Sequence, residues 1–415
     1  MRQWLVIALL FLSACINYVD RGSLSLAAPR LSVDLGLTPV QMGLLLSAFF
    51  WTYAACQTFA GLLIDRFPVL WVFGIGFFVW ASATLGMGFA GGMASVIVLR
   101  LLLGVGESVA FPSYSKIIAT GFPLQQRGLP NALLDAGTKL GPAIGTLVGG
   151  YILAVYGWRM MFWVLGAGSL AWLVPWCIWA PRPAANEPQP SEAAEAPPSI
   201  WEIVARKEAW GTFIGNACYT YAYFFLLTWF PSYLVQERHV PVSRLAVLGS
   251  IPFWGSAISA VLCGWASDTW IKRGASPTRV RKTFVICGLL LSIIMLPSAM
   301  VSDLNLSVFL LSVAYIAFGM YASNHWAITQ TLAGPAAAGK WTGLQNTVGA
   351  LSGVVAPIVT GFIVQKTGVF FLAFLSPAIL ALVGVACYVF LVGPVKPLEW
   401  RKDAGELTAI HPDVK

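Results

Sequence analysis

The sequence predicts an all-α membrane protein, with twelve transmembrane helices in two six-helix bundles around a central cavity. Three observations carry that prediction. Of the 415 residues, 58% are hydrophobic and only 10% are charged, and the mean hydropathy is +0.76. An ordinary soluble domain carries about 25% charged residues. This chain lacks the polar side chains to cover a water-exposed globule, so a soluble enzyme and a disordered chain are both excluded. The apolar residues also fall into twelve runs, each near the roughly 20 residues that cross a bilayer as a helix. Finally, the runs divide six and six about a segment with no apolar core. The bulk partner is therefore the lipid bilayer, and no nucleic-acid partner is expected.

Taken in order, the runs are 4–29, 40–63, 70–92, 94–117, 129–155, 159–180, 210–235, 244–267, 283–301, 306–331, 342–365 and 370–393. The first is too long for a signal-peptide core and contains Asp20 and Arg21, so it reads as a retained span. The domains that follow are an N-terminal bundle (1–181), a linker (182–209), a C-terminal bundle (210–393) and a tail (394–415). The linker is rich in Pro, Ala and Glu and ends in a predicted short amphipathic helix. The seven Cys lie inside apolar runs with no CxxC pair, which argues against a disulfide framework and a metal site. No cofactor is expected.

Positive loops stay cytoplasmic. With the N-terminus inside, only Arg30, Arg159, Arg238, Arg244 and Lys366 of the 25 Lys and Arg fall in outer loops. Three others, Arg21, Arg100 and Lys139, lie within spans, and the rest are inside. Both termini and the linker are thus expected in the cytoplasm, with the chain in the inner (plasma) membrane. The halves also echo each other. GLLIDR (61–66) between spans two and three matches GWASD (264–268) between spans eight and nine. GLPN (128–131), entering span five, matches GLQN (343–346), entering span eleven. Such echoes suit two parallel repeats around a central site.

With those motifs assembled, the chain resembles the major facilitator superfamily. The carriers are Gly61-Leu-Leu-Ile-Asp65-Arg66, Arg127-Gly128 and Gly157-Trp158-Arg159. More narrowly, Asn17-Tyr18-Val19-Asp20-Arg21, with Arg100 and Glu107 in the fourth span, resembles the anion:cation symporter family. That family includes galactonate, hexuronate, glucarate and tartrate carriers, with sialic-acid and vesicular glutamate carriers related to it. The resemblance covers nearly the whole chain.

Six charges lie within spans, all in the first half: Asp20, Glu107, Asp135, Arg21, Arg100 and Lys139. Each costs about 2.5–3.5 kcal/mol at mid-bilayer even on insertion scales, so each should face a cavity or a partner. Arg stays charged, and its planar fork matches a carboxylate bidentately. A buried Arg21 therefore points to an organic anion at the centre, and the plain alternative is a fixed ion pair with Asp20 or Glu107. Asp20 and Arg21 are helix neighbours that diverge by about 100°. Arg100 and Glu107, seven apart, share a face. At such a carboxyl, desolvation favours the neutral form and a nearby guanidinium the charged one. Protonation then responds to whether the guanidinium is occupied, which is what a proton symporter requires. The resemblance implies the same roles: Asp20 and Glu107 as proton sites, Arg21 as the carboxylate holder. Arg100 is expected to assist.

Asp135 and Lys139 are spaced i,i+4, acid first, the favourable order for a helix pair. Asp135 reads as a neutralising partner, whereas Lys139 offers a second positive group that favours a dianion or compact acid. Tyr18 and Tyr53 are candidate hydrogen-bonding residues. Ser323 and Trp326 in the tenth span and Asn346 in the eleventh match positions where the resemblance implies binding residues. His325 reads as a neutral, hydrogen-bonded histidine, with a proton relay as the alternative. Tyr219 and Tyr223 are weaker candidates, in an aromatic run that packing alone could explain. Gly137, Gly141, Gly145 and Gly149 form a small-residue stripe, expected against a second-half span. Asp65, Arg66 and Asp268 are expected to tune the conformational equilibrium without touching substrate.

The expected activity is proton-coupled uptake of a small organic anion, such as a sugar acid or hydroxy (di)carboxylate, by a monomer using alternating access. An exchanger or exporter on the same fold and a non-transporting anion sensor are the alternatives. No nucleophile elbow and no HExxH appears, so an intramembrane enzyme is not expected.

Overall fold

Ten helical stretches in the computed structural model are long and apolar enough to cross a membrane. The structure describes residues 2–121, 128–179 and 198–400. Arg127, positions 182–197 of the linker and the tail beyond 400 lie outside the described residues. One of the ten stretches runs 47 residues, Leu133–Trp179. It belongs to the helix Gly128–Trp179, which is broken at Gly157, where φ is 84°. Only glycine takes that conformation without strain, so two spans meet there. Gly334 (φ 65°) likewise breaks Leu304–Thr367 into the tenth and eleventh spans. An eleventh crossing is thereby recovered. The twelfth is Lys207–Ser232, which is 26 residues long. It is less continuously apolar because Asn216, Tyr219, Thr220, Tyr221, Tyr223 and Thr228 interrupt it, for a reason that its position explains below.

Local signals set the ends. Thr38 caps the second span, Pro39–Arg66, accepting from the Gln41 N–H while the Gln41 side chain returns to the Thr38 N–H, with Pro39 in the first turn; both capping donors are satisfied. Ser199 and Glu202 form the same box ahead of Ile200–Val204, the short helix at the end of the linker. GLQN lies farther along its helix than the sequence suggests, because the eleventh span begins just after Gly334 rather than at 342.

Large apolar side chains remain exposed along the outward helix faces, including Phe59, Trp71, Ile75, Tyr151 and Val261, as a lipid-facing surface demands. The glycine stripe on the fifth span packs on the first span, not on the second half as expected. Gly137 abuts Phe11 and Ala14, Gly141 abuts Cys15 and Tyr18, and Gly145 abuts Val19. Among the glycines of that span, Gly150 touches the other half, against Ala246.

The two halves meet on the side away from the chain ends. Gly43 abuts the Pro357 carbonyl, Gly361 abuts Pro39, and the Val40 N–H donates to Gln365 Oε1 at 3.2 Å. Phe50 lies on Gly353 and edge-on to Phe224, with ring centroids 4.5 Å apart, and so floors the space between the halves. A hydrogen bond closes this seal. Pro231 has no N–H, so the Leu227 carbonyl four residues earlier loses its helical partner. Ser25 of the first span supplies one, its hydroxyl shared between Leu227 O (2.7 Å) and Thr228 O (2.8 Å).

Removing that hydroxyl leaves a carbonyl unpaired only in this closed arrangement. Ser25→Ala should shift the equilibrium toward opening on this side by about 0.5–1.5 kcal/mol, or two- to tenfold in population. Spin labels introduced by V33C and S243C in a cysteine-free background report it as a longer-distance population. An unchanged distance distribution would show that Ser25 carries none of the closure.

Candidate functional site

On the terminus-bearing side of the Phe50 floor lies a cavity of about 330 Å³, lined by both halves. That falls within the range of small-molecule sites, roughly 300–1,000 Å³. The first half contributes Tyr18, Arg21, Tyr53, Gln57, Asp135 and Lys139, and the second Asn216, Tyr219, Tyr223, His325, Trp326 and Asn346, among others.

Arg21 is 6% exposed, and what it exposes faces this cavity. Three rings surround its guanidinium carbon: Tyr18 at 4.6 Å, Phe49 at 4.7 Å and Tyr53 at 4.8 Å. The electron-rich faces of such rings attract a cation. Its nitrogens donate to Glu107 Oε2, Nη2 at 2.8 Å and Nε at 3.2 Å, and Nη2 also lies 3.3 Å from Asn17 Oδ1. Both nitrogens thus converge on one carboxylate oxygen. The other, Oε1, is buried with no hydrogen-bond partner.

Glycines place Glu107 there. A methyl group at Gly104 would collide with the Phe49 carbonyl of the second span. One at Gly106 would sit 2.7 Å from the Gly76 carbonyl and the Trp80 amide nitrogen of the third. The fourth span therefore wedges between its neighbours. Its first helix ends at Glu107, before a turn and a second helix, Ala110–Gly121. The carboxylate sits at this break, fully buried.

The remaining candidates divide. Tyr18, Tyr53, Lys139, Trp326 and Asn346 line the cavity beside Arg21. Asp20, one residue from Arg21, faces the interior of the first bundle, where Ser169 Oγ donates to its Oδ2 at 3.1 Å; it is completely buried and off the cavity wall. Arg100 is also off the wall. It is 3% exposed, 5.3 Å from the Phe49 ring, with its Nε unpartnered, so it stands behind the site and not in it. Ser323 is corrected too. Its neighbours Ala322, His325 and Trp326 face the cavity, and helix rotation turns Ser323 toward Gly264 of the eighth span. It donates to Met320 O at 3.1 Å and accepts from Asn324 Nδ2 at 2.9 Å.

Asn324 leads to the clamp. Arg281 donates to Asp268 Oδ1 (2.6 Å), Ser267 Oγ (2.6 Å) and Asn324 Oδ1 (2.9 Å), joining spans eight, nine and ten at their terminus-side ends. Arg66 is exposed at the matching place in the first half; the Asp65 side chain lies outside the described residues. His325 is buried, its Nδ1 3.0 Å from Ala322 O and its ring stacked on Tyr321. The sequence reading passed over Gln57, Asn216, Thr220 and Thr342, all of them cavity residues. Amides inside spans two and seven were the available signal. The polarity of the seventh span has its reason here, since Asn216, Tyr219, Thr220 and Tyr223 face the cavity.

The family model of the Major Facilitator Superfamily matches residues 10–357 and 234–412. A D-galactonate transporter of Escherichia coli O6:H1 is 30% identical, over 95% of this chain and 96% of that protein. A probable galactarate/D-glucarate transporter of Bacillus subtilis is 31% identical, over 96% and 94%. Among solved structures, a bacterial homologue of the human lysosomal transporter Spinster superposes with a TM-score of 0.76 at 19% identity, covering 94% of this chain and 95% of that one. The chain belongs to the major facilitator superfamily. It is a multi-pass membrane transporter and not an enzyme.

A buried ion pair is strained by the loss of either partner. Arg21→Met or Glu107→Leu alone should destabilise the protein by about 3–5 kcal/mol, because a buried charge is left uncompensated. The double variant should recover much of that loss. Thermal unfolding in detergent reads the cycle; additive losses would show that the two groups do not depend on each other.

Proposed function

We propose that this transporter carries a small organic anion, a sugar acid or hydroxy (di)carboxylate, together with protons and by alternating access. The observation that carries this reading is Arg21, a buried guanidinium on a cavity wall whose acidic partner, among the described residues, is Glu107. A substrate carboxylate entering the cavity competes with Glu107 for the same nitrogens. Protonating Glu107 weakens its hold and frees them, so proton and anion favour each other's binding. Asp20, sealed from the cavity, is the second proton site and does not compete for substrate. The relatives named for D-galactonate and for galactarate/D-glucarate support an acid of this class. Loop charge supports an inner-membrane orientation with both termini cytoplasmic, so the described cavity is on the cytoplasmic side. Each bundle contributes to the one cavity, so the proposed working unit is a monomer.

Proteoliposomes test the reading. An inward proton gradient should drive accumulation of labelled D-galactonate or D-glucarate. Arg21→Ala should abolish both binding and uptake. Glu107→Gln should lose gradient-driven accumulation yet retain counterflow exchange. Full accumulation by Glu107→Gln would remove Glu107 from coupling, and uptake indifferent to the gradient would favour exchange.

A further inference from the structure

The cavity holds a second ion pair that anion binding at Arg21 does not use. Lys139 Nζ lies 3.3 Å from Asp135 Oδ1, and both residues line the same space as Arg21. The two pairs differ in their acid. Glu107 is fully buried behind Arg21, whereas the Asp135 side chain is 62% exposed. Lys139 is held by a carboxylate that water and solutes can reach.

Packing between spans one and five sets the axial offset between the two residues that carry the cations. Gly137 sits against Phe11 and Ala14, and Gly141 against Cys15 and Tyr18. Lys139, midway between these glycines, is level with Ala14 and Cys15. Arg21 is then about 10 Å farther from the chain ends along the helix axis, at 1.5 Å per residue. Tyr18 lies between them and lines the cavity. With both side chains turned into the same cavity, residues offset by that much along the axis can grip the two ends of an extended short-chain diacid through a charge-assisted bond at each end. Facing the pair from the second half are Tyr219, Tyr223, His325 and Trp326, which carry no acid to compete.

The geometry points to a dicarboxylate as the substrate class, with one carboxylate on Arg21 and the other displacing Asp135 from Lys139. The inference rests on the anion-binding role given to Arg21 above. Asp135 is a built-in stand-in for the second carboxylate. It keeps Lys139 neutralised while the cavity is empty and sets how strongly a diacid is preferred over a monoacid. A terminal hydroxyl, being neutral, cannot replace Asp135 on the ammonium without leaving two charges unpaired, and so a monoacid leaves the pair intact.

Matched ligand pairs test this directly. D-glucarate and D-gluconate differ only in the second terminal carboxylate, as do L-tartrate and L-threonate. Calorimetric titration of the purified wild-type protein should show each diacid bound severalfold more tightly than its monoacid, because the substrate carboxylate replaces on Lys139 a largely exposed and therefore weakly held Asp135. Lys139→Gln should collapse that ratio, and Asp135→Asn, which removes the competitor, should raise it severalfold. A merely structural pair would move both affinities together and leave the ratio unchanged, which overturns the proposal. A wild-type ratio near one overturns it without any variant. If monoacids bind in an Arg21-dependent manner and show no diacid preference, only the dicarboxylate assignment fails. If no member of either pair binds, the anion-binding reading fails with it.

Discussion

The constraint on which the site depends is the cost of a guanidinium inside hydrocarbon. Arg21 cannot shed its charge, so the fold must neutralise it in every state through which it passes. In the described state Glu107 and three aromatic rings do this. The glycines of the fourth span exist to deliver that carboxylate. Without the close approach at Gly104 and Gly106, the helix could not bring Glu107 between the second and third spans.

A pair of this kind makes poor sense as a stabilising element alone. Well-packed apolar residues usually serve stability as well as or better than a buried ion pair. On the function proposed above, its value lies in exchange: any group that replaces Glu107 at Arg21 must itself be an anion, and any group that releases Glu107 must be a cation. In a sealed bundle those demands could never be met. The cavity meets them by exposing one face of the arginine while burying the acid completely. The second pair reverses the arrangement, with the acid exposed and the lysine more covered.

The fold was largely legible in the sequence because bilayer thickness forces long apolar runs, and all twelve spans announce themselves through them. The seventh does so less clearly, since a span that borders a polar cavity trades apolar residues for amides and hydroxyls. The intramembrane charges were equally legible, because each is expensive enough to need a reason. What the sequence could not carry was azimuth. Asp20 and Arg21 are adjacent, yet one faces the bundle interior and the other the cavity. Ser323 is two residues from His325 and lies on another face of the helix. The helical period predicts divergence between neighbours but not which of them points inward. The direction of the glycine stripe was lost for the same reason. Close packing is visible in the spacing of Gly137 to Gly149, but the partner helix is a tertiary fact.

The division of labour between halves follows from how such a cavity must move. All six intramembrane charges belong to the first half, so the two cavity ion pairs, Arg21 with Glu107 and Lys139 with Asp135, remain intact when the bundles rock against each other. The second half contributes aromatic rings, amides and a histidine, groups that lose little when drawn away from the wall. Had the arginine and its acid been placed on opposite halves, each opening of the cavity would separate a buried pair at a cost of several kcal/mol. Keeping both partners on one rigid body lets the halves part cheaply. On the function proposed above, it leaves the exchange of counter-ions, rather than the motion itself, as the step that senses what is bound.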